Sequence, residues 1–106
     1  MKQAEVSPQL FETHLGRVRH ILQNVLADIS CHVYLFGSRA DGTAVSGSDA
    51  DIAVMADEDI SLRLSEARAI LEESTIPYKI DLVDLNQTSA DFRDQVLAES
   101  VLLWKN

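Results

Sequence analysis

Apolar residues recur at helical spacing through the first quarter of the chain. After Ser7-Pro8 they stand three or four positions apart, at Phe11, Leu15, Val18, Leu22, Val25 and Ile29. This spacing places side chains on one face of a helix, and Ser followed by Pro is a favoured helix start. The pattern predicts an amphipathic helix over residues 8–28.

Two short apolar runs follow and predict buried strands, Cys31–Phe36 and Asp51–Ala56. Continuous apolar runs of this length are typical of strands that are covered, at least partly, on both faces. In the second run, alternation directs Ile52 and Val54 to one face and Asp51 to the other. We therefore expect helices on the apolar face and carboxylates on the opposite, open face.

A second helix is expected to begin at a Ser61 cap and to end near Glu73. Its apolar positions at helical spacing predict a buried stripe of Leu64, Ala67, Ile70 and Leu71. Pro77 separates this helix from the next element. The sequence thus continues the alternation of helix and strand.

The third predicted strand covers residues 79–85 and contains two aspartates. Period-2 alternation groups Asp84 with the apolar Ile80, whereas Asp81 points the other way. If the apolar side packs on the helices, only Asp81 faces the open side on which Asp51 is expected. The alternative is that Asp81 is merely a charge at a strand edge.

A last helix, from Ala90 to about Glu99, is expected to start at Thr88 or Ser89. The apolar tail Val101–Trp104 then predicts an added edge strand or a segment docked on the sheet. The alternative is an exposed patch used by a partner. Together the elements predict a small mixed β-sheet with helices packed on one face, an α/β (α+β) fold.

Length and composition indicate one globular domain over residues 1–106. Hydrophobic residues are 46% and charged residues 25% of the chain, which is ordinary globular usage. A domain of this size buries somewhat over 60% of the surface of its unfolded chain. The chain should therefore fold alone.

The net charge is −8, from 17 acidic and 9 basic residues, and no Lys/Arg cluster stands out. Binding a polynucleotide requires phosphate neutralisation by such a cluster. We therefore expect no direct nucleic-acid partner, which argues against a template-directed or RNA-tailing polymerase. A single nucleotide accompanied by magnesium is compatible with this charge.

Metal sites built on Cys or His are not indicated. Cys31 is the only cysteine, so it forms no disulfide within the chain. His14 and His20 lie six residues apart without a Cys or carboxylate at ligand spacing, and we expect surface histidines. No signal peptide or membrane-length apolar run is present, so a cytoplasmic location and no membrane partner are expected.

One motif joins the first two strands. Gly37-Ser38 follows the first strand, and after ten intervening residues Asp49 and Asp51 open the second. Gly37 can let the backbone approach a phosphate, and Ser38 can donate its hydroxyl to it. Carboxylates at i and i+2 of a strand share a face, about 7 Å apart at their backbones. Such a pair suits two hard cations about 3.5–4 Å apart.

The motif formed by Gly37, Ser38, Asp49 and Asp51 resembles that of the minimal nucleotidyltransferases, in the superfamily with the DNA polymerase beta fold. The resemblance covers residues 30–85 by motif and nearly the whole chain by size and element order. It implies an Mg²⁺-dependent enzyme that uses ATP and two metal ions. Asp81 corresponds to the third carboxylate of the family.

The resemblance also assigns roles to the residues. Asp49, Asp51 and Asp81 are implied as catalytic metal ligands, with Asp81 on the ion that binds the attacking hydroxyl. The residues implied in nucleotide binding are Gly37, Ser38, Arg39 and Ser48. Two positions depart from the usual pattern, Asp41 in place of a second basic residue and Ala50 in place of a larger aliphatic.

Minimal nucleotidyltransferases are typically antitoxins paired with HEPN-domain ribonuclease toxins. The resemblance therefore implies transfer of AMP from ATP to a tyrosine of a HEPN toxin, within a hetero-oligomer. Two alternatives remain open. One is a non-catalytic antitoxin that occludes the toxin, and the other is a small-molecule nucleotidyltransferase, which normally requires a longer chain.

Overall fold

A computed structural model describes residues 8–37 and 50–106, with side chains from residue 14 onward. Within these residues the chain forms three α-helices and four strands. The helices are α1 (Pro8–Val25), α2 (Ser61–Glu73) and α3 (Ala90–Glu99). The strands are β1 (Cys31–Phe36), β2 (Ala50–Ala56), β3 (Ile80–Asp84) and β4 (Val101–Lys105). A short 3-10 turn, Leu85–Gln87, follows β3.

The strands form one mixed sheet in the order β3-β2-β1-β4. β1 is antiparallel to both of its neighbours, whereas β2 and β3 are parallel. A parallel pair needs a crossover between its strands, and α2 lies in that connection. The mixed sheet with its helices confirms the fold class expected from the sequence.

One face of the sheet is covered by α1 and α2. Residues of β1, β2 and β3 that point to this face pack with the buried stripes of the two helices. The largest fully buried members are Leu22, Leu26, Ile52, Ile60, Leu64, Val18, Val33 and Val54. This face therefore holds the main core, and the alternation predicted for β2 is observed.

The opposite face is covered in part by α3. Ala53 of β2 is fully buried there with Leu85 and Val96, beside Tyr34 and Val83. The expectation that helices pack on one face thus holds for α1 and α2 but not for α3. The strands carry apolar side chains at the alternate positions that face this side too, and α3 covers part of them.

Two details of α2 differ from expectation. Ser61 is the first helical residue rather than the cap, and its backbone N–H and hydroxyl both donate to Asp59 Oδ1, at 3.0 and 2.7 Å. These bonds lower the pKa of the Asp59 carboxyl. Ile70 is 46% exposed, whereas Leu64, Ala67 and Leu71 are buried as expected. Ile70 follows Ala67 by three positions, at the solvent-facing margin of the stripe.

The apolar tail forms β4, which confirms the predicted edge strand. It pairs with β1, and a bulge between Val33 and Tyr34 shifts the register. After β4, the Asn106 side chain donates to the carbonyls of Leu26 and Ile29, at 2.9 and 3.0 Å. These bonds connect the end of β4 to the turn after α1.

No helix in residues 8–37 and 50–106 combines the length and the apolarity needed to cross a membrane.

Candidate active site

The residue after β1, Gly37, has a backbone conformation that favours glycine. Gly37 has φ of 75°, in the left-handed region that side chains with a Cβ disfavour. A Cβ built on it would clash with Asp51 Oδ2 and would lie 3.3 Å from Asp51 Cγ. The carboxylate of Asp51 therefore lies directly against the Gly37 backbone, in the space that a side chain would occupy.

Strand register places the described acids side by side. In the β1–β2 pair Phe36 is opposite Asp51, and in the β2–β3 pair Asp51 is opposite Asp81. Directly paired residues on neighbouring strands are separated by the strand spacing of about 4.7–4.9 Å and present side chains to the same face. The structure therefore brings Asp51 and Asp81 together on the face opposite the main core.

The two acids differ in burial. Asp51 is half-buried, whereas Asp81 is exposed on the outer strand. An aromatic pair lies beside Asp51, because the ring of its register partner Phe36 meets Phe92 of α3 edge to face, with centroids 6.2 Å apart. The Ser89 hydroxyl caps α3 by accepting from the Phe92 N–H at 3.2 Å, which confirms Ser89 as the helix start. α3 therefore packs beside Phe36, the register partner of Asp51, and Asp81 is exposed.

Several residues assigned by the resemblance lie outside the described residues. They are Ser38, Arg39, Ser48 and Asp49, together with the departing position Asp41. The other departing position, Ala50, is fully buried in the main core and starts β2. The nucleotide-binding roles of Ser38, Arg39 and Ser48 and the metal-binding role of Asp49 stay predictions.

A cavity of about 270 Å³ extends along the outer edge of β3, and Asp81 forms part of its wall. Side chains of α2, such as Leu71, line it together with Ile76 and Tyr78, and Lys79 is among its polar groups. Across the sheet, Gly37 follows β1, Asp51 lies on the neighbouring strand β2, and Asp81 lies on the edge strand β3. The cavity is therefore on the side of Asp81 away from Gly37.

Metal-ligand chemistry in the described residues is limited to carboxylate oxygens at this site. No group of three His, Cys, Asp or Glu side chains able to hold a metal occurs in residues 14–37 and 50–106. Asp49, the first of the three expected acids, lies outside that part of the chain. The pair formed by Asp51 and Asp81 offers hard oxygen ligands, which is the donor type that Mg²⁺ prefers.

Cys31 is not part of this site. It stands at the opposite end of β1 from Gly37 and is 1% exposed. Burial raises the pKa of the Cys31 thiol. A buried thiol with a raised pKa is inert. The structure places Cys31 in the main core.

Two polar groups near the outer edge of β3 were not given a role by sequence reasoning. Arg68 of α2 donates from Nη2 to the Leu82 carbonyl at 2.9 Å. Asp84 is 9% exposed, on the apolar side of β3 as the alternation predicted. Its place among apolar residues was the only available signal, because its surroundings depend on α2.

The sheet, the left-handed glycine and the paired acids are the arrangement expected of a nucleotidyltransferase. Residues 18–106 match the family described as polymerase beta, nucleotidyltransferase, and the chain belongs to that family. It is 39% identical over 84 residues to the probable protein adenylyltransferase MntA of Haemophilus influenzae. That match covers 76% of this chain and 69% of the relative.

Solved structures agree. A toxin–antitoxin structure with AMP-PNP has 30% identity and a TM-score of 0.71, covering 86% of this chain and 73% of its own. A second contains tri-AMPylated Shewanella oneidensis HEPN toxin with its MNT antitoxin. It has 26% identity and a TM-score of 0.67, covering 90% of this chain and 72% of its own. The resemblance to minimal nucleotidyltransferase antitoxins is therefore confirmed.

Proposed function

We propose that this chain is an antitoxin-type protein adenylyltransferase. It transfers AMP from ATP to a tyrosine hydroxyl of a HEPN ribonuclease toxin, with which it forms a hetero-oligomer. One domain, residues 1–106, carries the activity, and the cytoplasm is the expected location. The proposal includes transfer of more than one AMP group to an acceptor, because the HEPN toxin of the related complex is tri-AMPylated.

The observation that supports this most directly is the pairing of Asp51 with Asp81 on the open face. The two acids are register partners on parallel strands, and Asp51 lies against Gly37. Carboxylates so arranged beside a phosphate-approaching turn favour phosphoryl-type transfer, in which catalysis consists mainly of positioning and charge stabilisation. The MntA relative described as a protein adenylyltransferase supports the same reaction.

Charge favours a protein over a nucleic acid as the acceptor. With 17 acidic and 9 basic residues, the chain would repel a polyphosphate strand. A toxin that cuts RNA needs a basic surface, which the acidic chain would attract.

At the α-phosphorus, the reaction forms one bond and breaks one, and the tyrosine proton is transferred. The tyrosine oxygen attacks the α-phosphorus of ATP, the bond from that phosphorus to the bridging oxygen breaks, and pyrophosphate leaves. Asp81, on the acceptor side, orients the hydroxyl and accepts its proton. Gly37 and Ser38 bind the distal phosphates through backbone N–H groups and the Ser38 hydroxyl.

The donor set fits divalent metal ions. Asp51 and Asp81 supply carboxylate oxygens from neighbouring strands, and Asp49 is expected to add a third. Two Mg²⁺ ions held by these residues would lower the pKa of the hydroxyl and offset the phosphate charge. Arg39 and Ser48 are proposed to contact the nucleotide.

The test is incubation with labelled ATP and Mg²⁺, with and without the co-encoded HEPN protein. We expect label on the HEPN protein, a mass increase of one or more AMP units on a tyrosine, and no product in EDTA. The same spectrum gives the number of AMP groups. Asp81→Asn should give no product while melting at an unchanged or higher temperature.

Other outcomes would contradict the proposal in different ways. Toxin neutralisation without any modification would identify a non-catalytic antitoxin. Label on a small molecule, or on free RNA or DNA ends with the HEPN protein unmodified, would identify a different acceptor.

A further inference from the structure

The C-terminal end of β3 carries a buried carboxyl group that the adenylyl-transfer site does not use. Asp84 Oδ1 accepts a hydrogen bond from the Asn86 backbone N–H at 3.0 Å. Oδ2 is buried and has no hydrogen-bond partner in the part of the chain that the structure describes. Burying an acceptor oxygen without a donor is costly, more so when it carries charge. Oδ2 therefore lacks a donor among the described residues.

Asp84 lines a cavity of about 340 Å³ between α2 and the end of β3. Exposed side chains, Arg68 and Gln87, also line it, so it is reached from solvent. Pockets for small ligands usually measure about 300–1,000 Å³, which places this cavity near the lower limit. It has room for one side chain or a small molecule.

The wall of this cavity selects the chemistry of its ligand. Leu64 and Leu82 contribute apolar surface. The hydroxyls of Ser61 and Thr88 already donate, to Asp59 Oδ1 at 2.7 Å and to the Leu85 carbonyl at 3.0 Å. A ligand with N–H donors on an aliphatic stem, as lysine and arginine side chains have, matches both the apolar wall and the unpaired Oδ2.

Arg68 does not fill this role. Its Nη2 donates to the Leu82 carbonyl at 2.9 Å. Among the described residues the ion pair within 4.0 Å is Arg63 with Asp28, and Arg68 does not pair with Asp84. Arg68 is exposed at the rim, so its charge is screened by water more than that of a group inside the cavity.

We propose that this cavity binds the guanidinium or ammonium group of a basic side chain on the protein acceptor, with Asp84 Oδ2 as its counter-ion. The identity of the partner rests on the proposed function. The net charge of −8 favours a basic partner.

The cavity is placed to act together with the catalytic face. Asp84 is three residues beyond Asp81, about 10 Å along β3, and on the opposite side of the strand. β3 is an edge strand, so a partner can pass around its outer side. Such a partner presents a hydroxyl to Asp81 on one face and a basic side chain to Asp84 on the other.

The first experiment tests the cavity without any transfer reaction. Butylammonium and ethylguanidinium are titrated into the isolated chain while backbone amide NMR signals are followed. We expect saturable shifts at residues 82–88, with affinity reduced about tenfold in Asp84→Asn. That variant keeps an oxygen to accept from the Asn86 N–H. Tetramethylammonium, which has the charge but no N–H donor, should not bind there.

Controls separate this cavity from other charges. Glu73→Gln, on the exposed part of α2, should not change the titration. The proposal is wrong if no saturable shift occurs at residues 82–88 or if Asp84→Asn binds equally well. Binding seen only in Arg68→Ala would show that Arg68 occupies the cavity itself, and would also overturn it.

The second experiment uses the complete reaction with the HEPN protein. Asp84→Asn should raise the KM for the protein acceptor about tenfold, with kcat and the KM for ATP changed less than about twofold. A merely structural role would alter kcat or stability as well. An unchanged KM for the acceptor would refute the partner contact. If the wild-type chain transfers no AMP, the proposed function fails, and the titration still decides whether the cavity binds cations.

Discussion

Asp51 and Ile52 are neighbours in β2 but lie on opposite faces of the sheet, and the two faces differ in how far helices cover them. The face of Ile52 is closed by α1 and α2 and holds the main core. The face of Asp51 is covered only in part by α3, which leaves the paired acids near its margin. Alternation along one strand thus places a residue of the core and a residue of the candidate site on opposite faces. Substitutions on one face should therefore leave the other largely unaffected.

The largest expected effect is on the open face. Asp51→Asn should reduce AMP transfer about 10²- to 10³-fold, or about 3–4 kcal/mol, because a carboxylate proposed to hold metal is lost. Its melting temperature should stay equal or rise, since a repulsion between neighbouring carboxylates is removed. Transfer rate and thermal melting measured on one preparation test both statements. Wild-type transfer by this variant would contradict the role of Asp51.

The matched change on the closed face should have the opposite signature. Ile52→Ala removes a side chain with 0% exposure and should cost about 2–5 kcal/mol of unfolding free energy. The conservative Ile52→Val should cost about 0.5–1.5 kcal/mol. Urea unfolding gives these values, and transfer per folded molecule should remain near that of the wild type. A loss of transfer in folded Ile52→Val would show that the faces are not independent.

Gly37 lies where the two effects meet, because its backbone contacts the Asp51 carboxylate. Gly37→Ala should cost about 1–2 kcal/mol for the left-handed conformation. It should also lower transfer roughly 10- to 100-fold by displacing Asp51. Gly16→Ala is the control: nothing lies within 4 Å of a Cβ there, and it should stabilise α1 by about 0.5–1 kcal/mol. Equal effects of the two substitutions would contradict the clash at Gly37.

The smallest expected effect is at the surface of the closed face, where Arg63 of α2 bonds Asp28 through both carboxylate oxygens, at 2.7 and 2.9 Å. These bonds hold the pKa of Asp28 below 3.8. Because the folded pKa is depressed, the stabilisation is complete above pH 3.8 and is lost as pH falls through the folded value. Asp28→Asn should lower the melting temperature slightly at pH 7, and the difference should vanish at lower pH. Lys105→Gln, outside this pair, should show no such pH dependence.

Sequence patterns predicted most of the fold correctly. Each predicted helix and strand exists, and the tail Val101–Trp104 lies in the edge strand that was one of its alternatives. Misplacements occurred where local pattern is weak: α1 ends at Val25 rather than 28, and Ile70 is exposed. In a stripe with several apolar residues, tertiary packing decides which one is at the margin.

The candidate site was predictable in its residue types and less so in its arrangement. Period-2 alternation placed Asp51 and Asp81 on one face, and the structure adds that they are direct register partners. Register depends on strand pairing across a crossover, which the sequence of either strand does not contain. The contact of Asp51 with the Gly37 backbone likewise requires the β1–β2 pair.

By itself, the sequence determined the order of elements, the buried sides of the strands and the identity of the chemical groups, because these follow from local periodicity and motif spacing. Only the tertiary structure decided what closes each face. Ala53 faces the same side as Asp51, yet α3 buries it completely. Asp84 was grouped with apolar residues by alternation, but the cavity around it exists only because α2 packs along the edge of β3. Such environments are formed by elements distant in sequence, and local pattern carries no information about them.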